Sequence, residues 1–441
     1  MTTVSMKEQW TKRRRHRTGC VLGSAWGRVA TGCFLLILII LLLLLPNNKD
    51  NVDQRVRFNK ELEGESTNLR DYHYETFNKA CSNTTTDLAW KDKEIHLLQT
   101  GSKNDDKATT RSVLLHLLNS LPNNNTQREL SNVRVRTSQS GKITLSTQGG
   151  VSKLPRLADL TSRWRGPISC AIYITTEEQI DVWLDFLNQN SKKDQINTWV
   201  SFHILLEKPQ LPSTVNRHPI NRLRNLALRN CHTDHVFLND MDFMPPVAAH
   251  DSLIQDPLPP PKTFWVLPAF ERFATPQLPS SSSKGRNSKS IVSITNVTWI
   301  PKTKLELLAS LDTKVVTPFH EYFPAGHAPC NYSRWYNCST FYSIDYEYLF
   351  EPYVIVHRNG LPEFFPTFRG FAFNKISFFI EAHYRGFQYV VHPTSFVVHM
   401  NHGGRKERDD KGGDSIQIKK DFRNYLQQVY QISKEELSLW K

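Results

Sequence analysis

The 441-residue chain lacks several things, and each absence removes a class of function. No Cys-x-x-Cys occurs among its seven cysteines, so zinc ribbons and thioredoxin-type redox chemistry are unsupported. Cys/His finger spacing, a Gly-rich RNA-binding signature and a basic helical stripe are also missing. The formal net charge of +13 therefore does not argue for a nucleic-acid partner. Part of that charge is local, in Lys12, Arg13, Arg14, Arg15 and Arg17. Residues 46–153 lack sustained strand alternation and are rich in Asn, Thr, Ser, Lys and Asp, with short helical pieces such as Ser112–Leu121. This composition predicts a stem.

The long apolar run is Val29–Leu45, directly after the basic cluster. At about 1.5 Å per residue it suits a thin bilayer, helped by part of the preceding stretch. Pro46-Asn47-Asn48-Lys49-Asp50 follows without a small-residue cleavage site, which reads as a signal anchor rather than a cleaved signal peptide. The basic flank places residues 1–28 in the cytosol and everything after the anchor in a lumen. In that compartment the Asn-x-Ser/Thr sites at Asn83, Asn124, Asn296, Asn331 and Asn337 read as glycosylation acceptors. Five cysteines follow the anchor. Cys330 and Cys338 are close enough to bridge a loop, and Cys81 in the stem is the candidate for the odd thiol.

Composition changes at Leu154, and residues 154–441 read as a globular domain. Pro167–Ile174 is a continuous apolar strand of the buried, parallel kind. Thr176–Asn188 has helical spacing through Ile180, Trp183, Leu184 and Leu187, and Trp199–Leu206 is a second strand. Pro219–Asn230 is a helix, and Val236–Leu238 a third strand. This β-α-β-α-β order predicts an α/β fold with a doubly wound, mainly parallel sheet. The third strand ends in Asp240-Met241-Asp242 and then Pro245. Ligands in such sheets bind at the carboxyl ends of strands, and paired carboxylates there suit a hard divalent cation. A plain turn after a strand is the competing reading. Thr263–Phe270, Phe350–Val356 and Tyr389–Met400 are further strands, Lys375–Tyr384 a helix, and Asp421–Leu439 a closing helix.

Several stretches together resemble one family. They are Arg165-Gly166-Pro167-Ile168-Ser169, Pro219-Ile220-Asn221-Arg222-Leu223-Arg224-Asn225, Phe237–Phe243 and Leu267-Pro268-Ala269-Phe270-Glu271. Gly326–Trp335, Phe350-Glu351-Pro352-Tyr353, Gly370–Lys375 and Val398-His399-Met400-Asn401-His402 continue the series. Their order is that of the glucuronyltransferase-type domain of the LARGE glycosyltransferases and of the related beta-1,4-glucuronyltransferase, glycosyltransferase family 49. LARGE proteins carry a second domain upstream, where this chain has the predicted stem. The resemblance implies a GT-A nucleotide-sugar-binding fold in a type II Golgi membrane protein. It also implies manganese-dependent inverting transfer from a UDP-sugar, usually UDP-glucuronic acid, to a glycan on a glycoprotein, with magnesium as the alternative ion.

On this resemblance Asp240, Asp242 and His399 hold the metal, with His402 a competitor for the histidine's place. Arg224, Asn225, Asn374 and Lys375 bind the donor; a helix cap and a solvated surface are the competing roles for Asn374 and Lys375. His327 and Trp335, with Tyr332 and Arg334, form an aromatic loop suited to an acceptor sugar or to its own packing. Relatives commonly carry an aspartate before the Gly370 motif, in the general-base position, where this chain has Phe365. Glu363 is the nearest substitute. That departure keeps a second reading open, a non-catalytic member that binds glycan or UDP-sugar as partner of an active enzyme.

Overall fold

The computed structural model describes residues 107–438 apart from 123–125, 139, 191, 209–217, 273–299, 313, 321–322, 371–372 and 401–412. The cytosolic tail, the 29–45 anchor, Cys81, Asn83, Asn124, Asn296 and His402 lie outside the described residues. Among those described, no helix is long and apolar enough to cross a membrane.

The first strands are β1 (Gln127–Arg134), β2 (Ile143–Gly150), β3 (Ile168–Ile174), β4 (Val200–Glu207) and β5 (His235–Leu238). Then come β6 (Phe243–Met244), β7 (Thr263–Leu267), β8 (Ala269–Arg272), β9 (Val316–Pro318) and β10 (Tyr342–Ile344). The last are β11 (Tyr353–His357), β12 (Gln388–Val391) and β13 (Val397–Met400). Helices interleave as α1 (Lys107–Asn119), α2 (Leu154–Trp164), α3 (Glu177–Gln189), α4 (Lys193–Trp199), α5 (Ile220–Arg229) and α6 (Ala249–Leu253). They continue with α7 (Lys304–Asp312), α8 (Tyr332–Asn337), α9 (Ile376–Tyr384), α10 (Gly413–Tyr430) and α11 (Lys434–Ser438).

A nine-stranded sheet runs β1-β4-β3-β2-β5-β11-β7-β12-β10, and a four-stranded sheet runs β6-β13-β8-β9. The β-α-β-α-β series is present as β3, α3 with α4, β4, α5 and β5. Local chemistry explains it. The sequence of β3, Ile-Ser-Cys-Ala-Ile-Tyr-Ile, is buried at six of seven positions, as a strand covered on both faces must be. Helix α3 starts at Thr176, whose side chain accepts from Gln179 N–H, and carries Glu177 and Glu178 against the positive end of its dipole. Its buried face is Ile180, Trp183, Leu184 and Leu187.

Three expectations change. The sheet is mixed rather than mainly parallel. β2, β3, β4 and β5 pair in parallel, but β11 inserts antiparallel between β5 and β7, and β1 closes the other edge antiparallel. The fold also begins before Leu154. Strand β2 lies between β3 and β5 and is buried at seven of eight positions, so residues 107–150 belong to the globular domain and not to a stem. Its Ser, Thr and Gln residues hide it from a search for apolar alternation. Finally, Pro268 splits Thr263–Phe270 and Pro393 lies in the break of Tyr389–Met400. In each case the first half joins the large sheet and the second the small one.

His203 on β4 is fully buried. Asn132 N–H donates to its Nδ1 at 2.8 Å, and its Nε2 lies 2.9 Å from Ser169 Oγ, which donates to Ala227 O at 2.6 Å. With the Ser169 proton committed to that carbonyl, Nε2 carries the imidazole proton and the ring is neutral. Burial, and then the neighbouring His232, lower its pKa to about 3. A folded value below the unfolded one, about 6.5, means full stability above that pH and loss as pH falls toward the folded value. Between pH 7 and pH 4 this residue should remove about 3 kcal/mol of unfolding free energy. Denaturant titrations across that range check it, with His203→Gln giving the shallower slope.

Candidate active site

The carboxyl end of β5 is built to hold a tight turn. Asn239 N–H donates to Ser146 O on β2 at 3.2 Å, and the Asn239 side-chain amide donates to Asp240 O and Phe243 O at 2.9 and 2.8 Å. Met241 between the two aspartates is fully buried, with its methyl against Gly149 of β2, where an added Cβ would come within 3.1 Å. An apolar residue driven inward thus anchors the turn between the two carboxylates.

Asp240 gathers three partners from distant parts of the chain. Arg224 Nη2 on α5 donates to Oδ1 at 3.0 Å, while Tyr353 Oη on β11 and Lys375 Nζ donate to Oδ2 at 3.0 and 3.3 Å. Burial opposes ionisation of Asp240, but the Lys375 and Arg224 charges outweigh it and hold the carboxyl well below the usual range. Burial, reinforced by Asp240, pushes the Tyr353 phenol well up, so the hydroxyl keeps the proton it donates. Lys375 Nζ sits 3.8 Å from the centroid of the Tyr353 ring. Arg224, Asp240, Tyr353 and Lys375 line one cavity together with Ser146 and Thr147 of β2.

Helix α5 explains how the arginine is aimed. Its buried face includes Asn221, Arg224 and Asn225 beside the expected leucines, a polar pattern that would be unstable without partners. Each is satisfied. Asn225 exchanges two hydrogen bonds with the Phe364 backbone, at 2.7 and 2.8 Å. Asn221 Nδ2 donates to Phe365 O and Asn374 O, both at 2.9 Å. Arg224 Nη1 donates to Asn221 Oδ1 at 3.1 Å and to Asn374 Oδ1 at 2.7 Å. Of the four residues expected to bind donor, Arg224 and Lys375 reach the cavity. Asn225 and Asn374 position the loop and the guanidinium.

Asp242 is buried, with Lys153 Nζ 2.8 Å from its Oδ2. His399 on β13 pairs with Phe243 on β6, and Met400 N–H donates to Asp242 O at 2.9 Å. The backbone therefore sets His399 beside the end of the Asp-x-Asp turn. Its ring packs between Phe243 and Phe319, at centroid distances of 4.9 and 5.0 Å. Two carboxylates and an imidazole fit a borderline or hard divalent ion in donor type. Their ligand atoms are not drawn together, however. Among the described residues, the trio with ligand atoms within 4.8 Å of one another is His320, His327 and Glu351.

Other expectations land elsewhere. Glu363 faces Arg229, whose Nη1 lies 3.4 Å from both carboxylate oxygens and whose Nη2 lies 2.6 Å from Glu129; Glu363 is not on the cavity wall. Phe365 is 1% exposed and packs against Phe368, Phe422 and Tyr425 beneath α10. Trp335 is 0% exposed, donates to His392 O at 2.9 Å and carries Lys304 Nζ 4.3 Å from the ring centroid. It is core rather than a platform for a sugar. His327 is also buried, its ring parallel to Tyr353 at 6.1 Å. Cys330 and Cys338 are free thiols, separated by α8, which fills the loop that a bridge would have closed. Asn331 and Asn337 are exposed. Asn331 also caps α8 by accepting from Arg334 N–H at 3.1 Å.

The fold and this strand-end cluster are those of an α/β protein with a cation-lined acidic site. The chain belongs to the family described as "Glycosyl-transferase for dystroglycan", which matches residues 142–218 and 213–437. Xylosyl- and glucuronyltransferase LARGE2s of Danio rerio is 33% identical over 265 residues, covering 59% of this chain and 31% of that protein. Xylosyl- and glucuronyltransferase LARGE1 of Homo sapiens is 31% identical over 267 residues, with the same coverages. Glycosyltransferase-like protein gnt14 of Dictyostelium discoideum is 28% identical over 292 residues, 63% of this chain and 40% of that one. The chain thus spans roughly a third of the length of these curated relatives.

Tyr353, Asn221, Lys153 and Glu351 were not singled out from the sequence. Only the Phe350–Tyr353 and Asn221–Asn225 motifs pointed near them. The Phe365 environment yields a test. Phe365→Asp should not restore a base, because the carboxylate would enter an aromatic pocket. It should destabilise the fold by about 3–5 kcal/mol, read as a lowered denaturant midpoint without gain in UDP release.

Proposed function

We propose that this chain transfers a sugar from a UDP-sugar, with glucuronic acid the leading donor, to a glycan acceptor on a glycoprotein. The observation carrying this reading is the convergence of Arg224, Lys375 and Tyr353 on Asp240 at the strand end of a family member. Two cations balanced on one carboxylate form a site ready to accept a diphosphate or a glucuronate carboxylate, since either anion can take over the cations' hydrogen bonds. Asp240, Asp242 and His399 would hold manganese, with magnesium the alternative. When bound, the ion would offset the negative charge on the departing UDP. Arg224, fixed by Asn221 and Asn374, then orients the donor, and Lys375 shields its charge. The apolar run 29–45 and its basic flank support a type II Golgi membrane protein with this domain in the lumen.

A second reading has its own support. Phe365 is sealed in the core and Glu363 is engaged by Arg229, so neither of the residues considered for the base position reaches the cavity. That favours a member that binds UDP-sugar without turning it over.

One pair of measurements separates the readings. With manganese, UDP-glucuronic acid and an acceptor glycan, wild type should release UDP, and Asp242→Asn should reduce release by roughly 100-fold or more. Manganese-dependent UDP binding without release from any UDP-sugar would move the assignment to the second reading. Unchanged binding in Asp242→Asn would remove the aspartates from the site.

A further inference from the structure

A second cluster of ligating side chains lies one aromatic ring away from Asp240. His320 and His327 come from the segment after β9, and Glu351 immediately precedes β11. Their ligand atoms all lie within 4.8 Å of one another. None of the three was assigned to a metal by the sequence motifs or by the donor reading above.

The pocket is built rather than incidental. His327 is 1% exposed, and its Nε2 has no hydrogen-bond partner. A buried imidazole nitrogen without a partner is costly, and an ion is one way of satisfying it. Its ring is fixed between the parallel face of Tyr353 and the edge of Phe319, centroids 6.1 and 5.1 Å away. His320 is stacked on Phe319 at 3.8 Å. Gly326 lets the third donor come close. A Cβ there would lie 3.1 Å from the Phe323 ring and 3.7 Å from Glu351 Oε1, and Glu351 N–H donates to Gly326 O at 3.0 Å. His320 and Glu351 are half-buried, which leaves an approach from solvent.

We propose that His320, His327 and Glu351 bind a divalent transition-metal ion of the zinc class, separate from the Asp240–Asp242 end. Two imidazoles and one carboxylate form a donor set used by catalytic zinc, with a position left for water or a substrate oxygen. Tetrahedral bonds of about 2.1 Å need donors roughly 3.4 Å apart, so modest side-chain rotation completes the site. Because Tyr353 contacts both His327 and Asp240, the ion also braces the ring that holds the donor-side carboxylate.

The test uses the purified full-length chain in detergent, chelator-treated and then equilibrated with zinc chloride. Zinc retained after removal of free metal is measured by elemental analysis. Cobalt(II) absorption in the visible reports ligand geometry, and thermal unfolding reports the fold. Wild type and Asp242→Asn should both retain zinc, and zinc should raise the melting temperature of each. Glu351→Gln and His320→Ala should weaken zinc affinity by about 10- to 100-fold or more while keeping the metal-free melting transition. His327→Gln should do the same and lose the cobalt spectrum. Equal zinc retention in Glu351→Gln, His320→Ala and wild type would overturn the site. So would loss of zinc in Asp242→Asn, or no retention by wild type. None of these results would bear on UDP binding at Asp240, so failure here leaves the donor reading standing.

Discussion

One half-buried carboxylate, Asp240, ties together the segments around it. A desolvated carboxylate is tolerable only when its charge is met at short range, and Arg224, Lys375 and Tyr353 meet it from three separate segments. Helix α5 delivers the arginine, β11 the phenol, and the turn before α9 the lysine. The mixed sheet serves this convergence. β11 inserts antiparallel beside β5, which places Tyr353 against the end of the strand that carries Asp240.

The polar face of α5 shows how such a demand spreads through a structure. Asn221 and Asn225 do not touch Asp240. They hold the backbone of Phe364, Phe365 and Asn374, and Asn374 in turn holds Arg224. Through this chain of hydrogen bonds the Phe364–Phe365 segment is fastened to the helix that aims the arginine. Phenylalanine at 365 is compatible with that fastening, because its carbonyl accepts from Asn221 while its side chain joins the aromatic layer under α10. The cluster around Asp240 and the side chain at 365 are thus structurally separable.

Much of the parallel half of the sheet was legible because its strands are unbroken apolar runs bounded by helices with clear spacing, as in β3 and α3. Strand β2 was not. Its Ser146, Thr147 and Gln148 are buried but polar, and their environment exists only when β3 and β5 flank it. The breaks at Pro268 and Pro393 were readable in principle, since proline interrupts a ladder. The assignment of each half to a different sheet was not. For the site, an Asp-x-Asp after a strand and Arg224 within Asn-x-x-Arg-Asn carried a local signal. Tyr353 carried none, because its role depends on strand pairing between residues 113 positions apart. Trp335 failed for the opposite reason. An aromatic loop suited to a sugar and an aromatic loop suited to a core have the same composition, and only burial tells them apart.

The two proline-broken strands run side by side across both sheets. β7 pairs with β12 in parallel in the large sheet, and β8 pairs with β13 in parallel in the small one. The sheets are thereby joined twice by continuous chain, with His392 N–H donating to Val266 O and Val397 N–H to Pro268 O across the bend. Two struts prevent the small sheet from swinging about a single hinge. The Asp240–Asp242 turn runs from β5 in the large sheet to β6 in the small one, where Phe243 pairs with His399. The separation of Asp242 and His399 is therefore set by backbone pairing, like the gap of a locked caliper.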